Sequence, residues 1–339
     1  MEDKLYPRSI EFRSNKASIH SISSKNSSGK EVLIITGYDY FLQKRDLKTI
    51  LQKYCKLILI PRSVDIYYLE TEVGKLIEQY EHIHMVNNPG YDQQHQIIYR
   101  FFALSNKTFR TTVVFDFCES FLKKIYIPES MSDAGEVHFD FKYFGLPIRI
   151  IKKSIDLGIG LFLLPPTLPF WAISAMYIRL QSPGKIFFRQ KRVGIRNGEF
   201  SCIKFRSMHS DAESGGAQFA SRNDERIFPF GRLMRATRID ELPQLLNIIK
   251  GEMSLVGPRP ERRVFVDTFE ELIPHYKQRH AVKPGISGYA QVMYPYGAGV
   301  TDARHKLMYD LYYIKHWSIG LEIQIIIRTI ATVLLKRGL

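Results

Sequence analysis

The chain has 339 residues, enough for two ordinary domains, and 45% of them are apolar. Lys and Arg total 48 against 34 Asp and Glu, a net charge of +14. Residues 1–148 hold 19 basic and 18 acidic side chains and residues 149–339 hold 29 and 16, so the cationic field belongs to the second half. That half is expected to seek phosphate as nucleotide, nucleic acid or anionic lipid. Cys55, Cys118 and Cys202 lie far apart without metal-like spacing and read as reduced thiols of a chain facing the cytoplasm. The polar start "MEDKLYPRSIEFRSNK" carries no apolar run, so no secretory signal is expected, and no solenoid or propeller repeat is seen.

Residues 1–29 read as a flexible lead-in, since "SNKASIHSISSKNSSGK" is rich in Ser, Asn and Lys. "EVLIITGYDY" then reads as a buried strand, residues 40–54 as a helix and "KLILIPRS" as a second strand. A helix near 70–80, a strand at "HIHMVNN", a helix near 92–104 and a strand at "TTVVFDF" follow. The alternation predicts a Rossmann-like α/β domain over 30–127. Its dinucleotide fingerprint is missing, because only Gly37 follows the first strand and no GxGxxG turn is present. Asp116 and Glu119 read as a solvated loop or helix cap. Residues 128–147, with Pro, Ser, Gly and acidic residues, read as a linker to a second domain over 148–339.

That second domain opens on "LFLLPPTLPFWAISAMYI". Between Lys153 and Arg179 lie 25 residues with one charge, Asp156. A straight helix of that length is about 37 Å long, enough to span a bilayer core. Pro165, Pro166 and Pro169 oppose straightness, removing backbone donors and disfavouring helix in the residue before each. Arg149, Lys152 and Lys153 precede the segment, and Arg179, Lys185, Arg189, Lys191 and Arg192 follow it. A spanning helix sends one cluster outside, against the positive-inside tendency. A re-entrant helix–break–helix keeps both in the cytoplasm, giving a monotopic membrane protein. A kinked spanning helix and a buried soluble helix are the alternatives. Near the C-terminus, "IGLEIQIIIRTIATVLL" reads either as an interfacial amphipathic helix, with Trp317, Lys336 and Arg337 at its ends, or as a core helix. "RIFPFGRLMRAT" mixes Phe and Leu with Arg and is a further candidate for contact with headgroups.

Chemistry is densest in "RATRIDELPQLLNIIKGEMSLVGPRP". Asp240 and Glu241 precede Pro243, which places a helix start at or near Asp240, where the dipole favours ionised carboxylates. Adjacent residues point about 100° apart, so the two are expected to face different partners. Asp and Glu at a helix start are also common punctuation. Arg232, Arg235 and Arg238 precede the pair, Arg259 follows in "GPRP", and Lys204 and Arg206 share a face if "CIKFRSM" is a strand. Carboxylates among cations make sense if a divalent metal and a diphosphate come between them, with one carboxylate on the metal and the other attacking phosphorus.

From about Phe144 onward the chain resembles the bacterial sugar transferase family, the monotopic phosphoglycosyl transferases. The matching stretches are "KKSIDLGIGLFLLPPTLP", "GKIFFRQKRVGIRNGEFSCIKFRSMHSDAE", "RATRIDELPQLLNIIKGEMSLVGPRPE", "KPGISGYAQV" and "YDLYYIKHWSIGLEIQIIIRTI". The resemblance implies transfer of a sugar-1-phosphate from a UDP-sugar to undecaprenyl phosphate, with release of UMP, at the cytoplasmic face of a bacterial inner membrane. It implies Asp240 as a nucleophile forming a covalent phosphosugar intermediate and Glu241 as the ligand of Mg²⁺. Lys204, Arg206, Arg238 and Arg259 become phosphate-binding cations, and Pro165 and Pro166 the break in the membrane helix. Such a protein starts assembly of an exopolysaccharide, capsule, O-antigen or glycoprotein glycan, alongside downstream glycosyltransferases and with homodimerisation open. No set of spanning helices precedes the catalytic region here, and the α/β domain resembles the soluble extra domain of some relatives. A non-catalytic membrane scaffold of a glycan assembly complex is the alternative from another class. Nucleic-acid binding is disfavoured, since no helix-turn-helix, zinc or RNP-like pattern appears.

Overall fold

The structure is a computed structural model and describes residues 19–23, 31–38, 42–61, 63–88, 92–103, 105, 107–128, 144–210, 212, 224–294, 297 and 299–334. Most of the lead-in expected over 1–29, most of the linker expected over 128–147, and Lys336 and Arg337 fall outside those residues. The chain forms two compact units, Met1–Glu129 and Ser130–Leu339.

The first unit is an α/β sheet region. Its elements are β1 (His20–Ser23), β2 (Glu31–Tyr38), α1 (Lys44–Lys53), β3 (Lys56–Pro61), α2 (Ile66–Gln79), β4 (His82–Asn87), α3 (Asp92–Ala103), β5 (Thr108–Val113) and α4 (Val114–Phe117). The sheet runs β1-β3-β2-β4-β5, with β1 antiparallel to β3 and the other neighbours parallel. Val32 to Ile35 and Leu57 to Ile60 are buried on both faces, so these strands read as continuous apolar runs. The order reverses between β2 and β4, where open α/β sheets commonly place a ligand. Here the Asn88 side chain spans that point, donating to Gly37 O at 3.0 Å and to the Tyr126 hydroxyl at 3.2 Å.

Two local expectations are corrected. The Ser-rich lead-in contains strand β1, whose four residues are too few to show a readable alternation. "TTVVFDF" is only half strand: β5 ends at Val113, and the chain turns into α4 and a π-turn over Cys118–Leu122. Val114 and Phe117, three apart, are buried together on the helical turn, a spacing hidden by the β-branched run before it.

The second unit is mainly helical. It comprises α5 (Leu146–Gln181), β6 (Phe187–Val193), β7 (Glu199–Phe205), α6 (Pro229–Thr237), α7 (Gln244–Ile249), β8 (Ser254–Val256), α8 (Arg263–Leu272), β9 (Gly285–Ser287), α9 (Tyr289–Met293), α10 (Val300–Lys315) and α11 (Ile319–Leu334). β6 and β7 form an antiparallel ribbon, and β8 and β9 a short parallel pair.

Helix α5 runs through all three prolines as one 36-residue element, so the break expected at Pro165 and Pro166 does not divide it into two helices. It is the one described helix long and apolar enough to cross a membrane. Along one stripe it packs on its own unit. Gly160 lies against Ile248, Leu164 against the Cys202–Leu245–Ile248–Met253 cluster, and Trp171 and Ile178 against Phe205, Phe228 and Met234. Away from that stripe Leu161, Phe162, Leu168, Phe170, Ile173 and Leu180 are exposed. Helix α11 divides likewise. Glu322 and Ile325 are buried, while Ile319, Ile323, Ile327 and Ile330 stand exposed at helical spacing. The amphipathic reading and the core reading each describe one face of it. In α6, Met234 is buried and Leu233 exposed, and the Phe230 ring stacks on Tyr177 of α5 at 4.8 Å.

Candidate active site

The α6 helix ends because Arg238 takes a left-handed conformation, φ 60°, at a position where glycine is usual. An arginine there keeps a cation at the turn at the expense of some backbone strain. The chain restarts as a 3₁₀ turn over Ile239–Glu241, and α7 begins only at Gln244. The helix start expected at or near Asp240 is met by this 3₁₀ turn, and the α-helix itself follows four residues after Asp240. Leu242 N takes the Ile239 carbonyl, and Pro243 has no N–H to continue an α-helical ladder there. Asn247 of α7 then fixes this turn to β7, accepting from Ile203 N at 3.0 Å and donating to Ser201 O at 2.8 Å.

Asp240 and Glu241 are both buried, 7% and 5% exposed, yet their environments differ. Glu241 Oε1 accepts from Lys204 Nζ at 2.9 Å and Arg259 Nη2 at 2.8 Å, with Arg238 Nη1 at 3.8 Å. Burial alone disfavours its charge, but Arg259, Lys204 and Arg238 outweigh that and hold the carboxyl well below its usual range. Asp240 Oδ1 is buried with no hydrogen-bond partner. Burial first, and then the Glu241 charge, push Asp240 up to about 6. The helix-dipole expectation that both carboxylates are favoured in their ionised forms holds for Glu241 and not for Asp240. One is neutralised by cations, and the other has a bare oxygen.

Arg259 is set by its backbone. Gly285 N donates to Pro258 O at 3.0 Å and Gly257 N to Ser287 O at 2.9 Å, so "GPRP" lies directly on "KPGIS". A Cβ on Gly257 would sit 2.4 Å from Lys283 O, and one on Gly285 2.1 Å from Gly257 N, so neither position admits a side chain. Behind the loop, Arg279 donates to Arg259 O at 2.9 Å, to Asp310 at 2.9 Å and to the Tyr276 hydroxyl at 2.6 Å. Burial pushes Asp310 up to about 6 even beside that guanidinium. Arg192 reaches the next carbonyl, Pro260 O, at 3.1 Å. Sequence reasoning did not single out Arg279 or Asp310 and counted Arg192 only as a flanking charge. The available signal was a lone carboxylate in the apolar run "LMYDLYY".

Arg206 has another setting. It lies one residue past the end of β7, so the shared face expected with Lys204 does not continue, and its guanidinium donates to Ser182 O and Pro183 O. It braces the chain leaving α5, and a Cβ on Gly184 would meet its Nη1 at 2.5 Å.

Asp240, Glu241, Lys204, Arg238 and Arg259 open on one cleft of 1520 Å³, in whose walls Arg and Lys far outnumber the four carboxylates. Such a surface suits a ligand carrying several phosphate charges. Among the described residues no group of three or more His, Cys, Asp or Glu is placed to hold a metal. All three cations meet Glu241 at Oε1, and its other oxygen fits a Mg²⁺ that takes its remaining ligands from phosphate and water, the usual habit of that ion.

A buried carboxylate with a free oxygen, ringed by cations beside a long apolar helix, is the arrangement expected of a membrane-associated protein that handles phosphates. Residues 148–336 match the family model described as bacterial sugar transferase, and the chain belongs to that family. It is 47% identical over 188 residues to the UDP-N-acetylgalactosamine-undecaprenyl-phosphate N-acetylgalactosaminephosphotransferase of Aeromonas hydrophila, covering 56% of this chain and 44% of that protein. It is 44% identical over 189 residues to the UDP-glucose:undecaprenyl-phosphate glucose-1-phosphate transferase of Xanthomonas campestris pv. campestris, covering 55% and 39%. The exopolysaccharide production protein PSS of Rhizobium leguminosarum bv. phaseoli is 39% identical over 196 residues, covering 55% of this chain and 96% of that protein. The aligned region thus spans less than half of the first two relatives and nearly all of the third.

Proposed function

We propose that the chain is a polyprenyl-phosphate sugar-1-phosphate transferase that moves a sugar-1-phosphate from a UDP-sugar to undecaprenyl phosphate and releases UMP. The observation that carries this reading is the buried, unpartnered Asp240 Oδ1 beside a Glu241 already held by Lys204 and Arg259. In the first step an Asp240 oxygen attacks the phosphorus next to the sugar, the bond to the UMP oxygen breaks, and an aspartyl-phosphosugar forms. In the second, a phosphate oxygen of undecaprenyl phosphate attacks the same phosphorus, freeing Asp240 and forming undecaprenyl diphosphate sugar. Arg259, Lys204 and Arg238 orient the diphosphate and offset charge on its oxygens. Mg²⁺ held at Glu241 would supply further charge neutralisation when bound. The product is the lipid-linked start of a glycan such as an exopolysaccharide.

The same reading bends α5 at Pro165 and Pro166 without dividing it, so that it enters the cytoplasmic face of an inner membrane and leaves on the same side. It is supported by the way both ends of α5 are fastened to one unit, Lys152 to Glu322 and Ile178 to Phe205 and Phe228. Of the cations counted at its flanks, Lys152 and Arg192 are committed to internal partners. Arg149, Lys153, Arg179, Lys185 and Arg189 remain for headgroups, and Lys191, 3.8 Å from Glu199, is still largely exposed.

Detergent-solubilised protein with Mg²⁺ and undecaprenyl phosphate is expected to release UMP from one member of a UDP-sugar panel. The panel includes glucose and N-acetylgalactosamine, the sugars in the relatives' names. In a two-step transfer kcat/KM for the donor reports the first step on free enzyme, which needs Asp240 ionised. It is expected to fall as acid protonates Asp240, a carboxyl that burial and the Glu241 charge raise to about 6 and a bound Mg²⁺ lowers, and to level above that pH. Activity that rises as that carboxyl is protonated would remove Asp240 from the role of nucleophile.

A further inference from the structure

A second buried charged cluster lies at the root of α5, away from the dyad. Lys152 is paired with Glu322 of α11 and lies 3.9 Å from Asp156. All three side chains are 8% exposed or less. One oxygen, Glu322 Oε1, receives Lys152, Trp317 Nε1 at 2.7 Å and the Tyr313 hydroxyl at 2.8 Å. A buried ion pair is poor evidence for stability by itself, because desolvation consumes much of the attraction. What sets this one apart is what its members hold.

Both carboxylate arms end on β8. Asp156 Oδ1 accepts from Leu255 N at 3.0 Å, and the Tyr313 hydroxyl, 3.0 Å from Val256 O, shares its single proton between that carbonyl and Glu322. Val256 is fully buried, and three residues later the chain reaches Arg259, whose guanidinium meets Glu241. No other strand or turn intervenes, and the prolines on either side of Arg259 leave the backbone little freedom to absorb a shift.

We infer that Glu322, Lys152, Asp156 and Tyr313 form a clamp that fixes the root of the apolar helix to β8 and so positions Arg259 for a diphosphate donor. The inference rests on the donor reading of the cleft. These are positioning residues, acting through β8 without touching substrate. A displacement of an ångström at a phosphate-orienting group is enough to cost up to about 100-fold in rate.

The test compares Tyr313→Phe, Glu322→Gln and Lys152→Arg with Ile325→Val, a fully buried position on α11 that loses packing alone. Each is assayed in detergent for kcat and KM with the UDP-sugar that wild type uses, for UDP affinity by calorimetry, and for melting temperature. Tyr313→Phe and Glu322→Gln are expected to weaken UDP binding and lower kcat/KM roughly tenfold. Lys152→Arg, which keeps the pair, retains most of both. Ile325→Val is expected to melt earlier with unchanged constants. If Tyr313→Phe and Glu322→Gln lower the melting temperature yet keep wild-type UDP affinity and kcat/KM, the cluster is a structural staple and the inference fails. Wild type that binds UDP but releases no UMP would overturn the transferase reading instead, with UDP affinity still reporting on the clamp.

Discussion

Asp240→Asn is expected to abolish UMP release, by roughly three orders of magnitude or more, without lowering the melting temperature. The two halves of that result have one cause. Asp240 Oδ1 makes no hydrogen bond, so the amide loses no folded-state partner at that atom. Burial raises the carboxyl to about 6, so the folded chain binds its proton more tightly than the unfolded one. Its contribution to stability is therefore fully present at low pH and is lost as pH rises through that value. An uncharged Asn carries no such loss at pH 7.5. An amide cannot form the acyl-phosphate bond, and removal of a covalent nucleophile leaves only what orientation and electrostatics supply. Kinetics beside a thermal melt at pH 7.5 check both halves. Loss of activity together with a collapsed melt would make Asp240 a structural residue.

Arg259→Ala is expected to lower kcat/KM by roughly 10²–10³-fold and also to destabilise the chain. The guanidinium donates to Glu241 Oε1 at 2.8 Å, and its removal leaves that buried carboxylate to Lys204 and the more distant Arg238. Breaking a fully buried pair costs roughly 3–5 kcal/mol, but the Arg259 side chain is 34% exposed. Solvent then carries part of the interaction, and about 1–2 kcal/mol is the better expectation. Arg259→Lys restores the charge without the planar fork and should recover stability more fully than activity. Steady-state kinetics and urea unfolding of both variants check this. Equal recovery of activity and stability in Arg259→Lys would mean that only the charge matters.

Much of this site was legible in the sequence because its parts are local. Two adjacent carboxylates beside Pro243, an arginine between prolines and three apolar-flanking prolines need no tertiary knowledge to be noticed. Strands β2 and β3 were equally plain, since strands buried on both faces are written as unbroken runs such as "VLII" and "LILI", whereas β1 and the end of β5 were not. What escaped was set by distant contacts. Arg206 looked like a partner of Lys204, but strand periodicity ends with the strand, and the residue after it answers to the carbonyls of Ser182 and Pro183. The segment holding Glu322 could be read as an interfacial or a core helix, but its partner Lys152 lies 170 residues away and no spacing rule joins them. The dyad and its division of roles were found, but the electrostatic difference between its members was not. A helix dipole treats neighbouring carboxylates alike, whereas cations placed by β7 and the "GPRP" loop reach only one of them.

The most direct measurement mixes stoichiometric wild-type protein, Mg²⁺ and the productive UDP-sugar with no polyprenol phosphate, follows UMP, and then weighs the intact chain. A burst approaching one UMP per chain is expected, with a mass gain of one sugar phosphate that maps to the peptide holding Asp240 and disappears when undecaprenyl phosphate is added. UMP release that requires the acceptor lipid from the outset, with no mass gain at any time, would contradict a covalent intermediate at Asp240 and point to direct displacement instead.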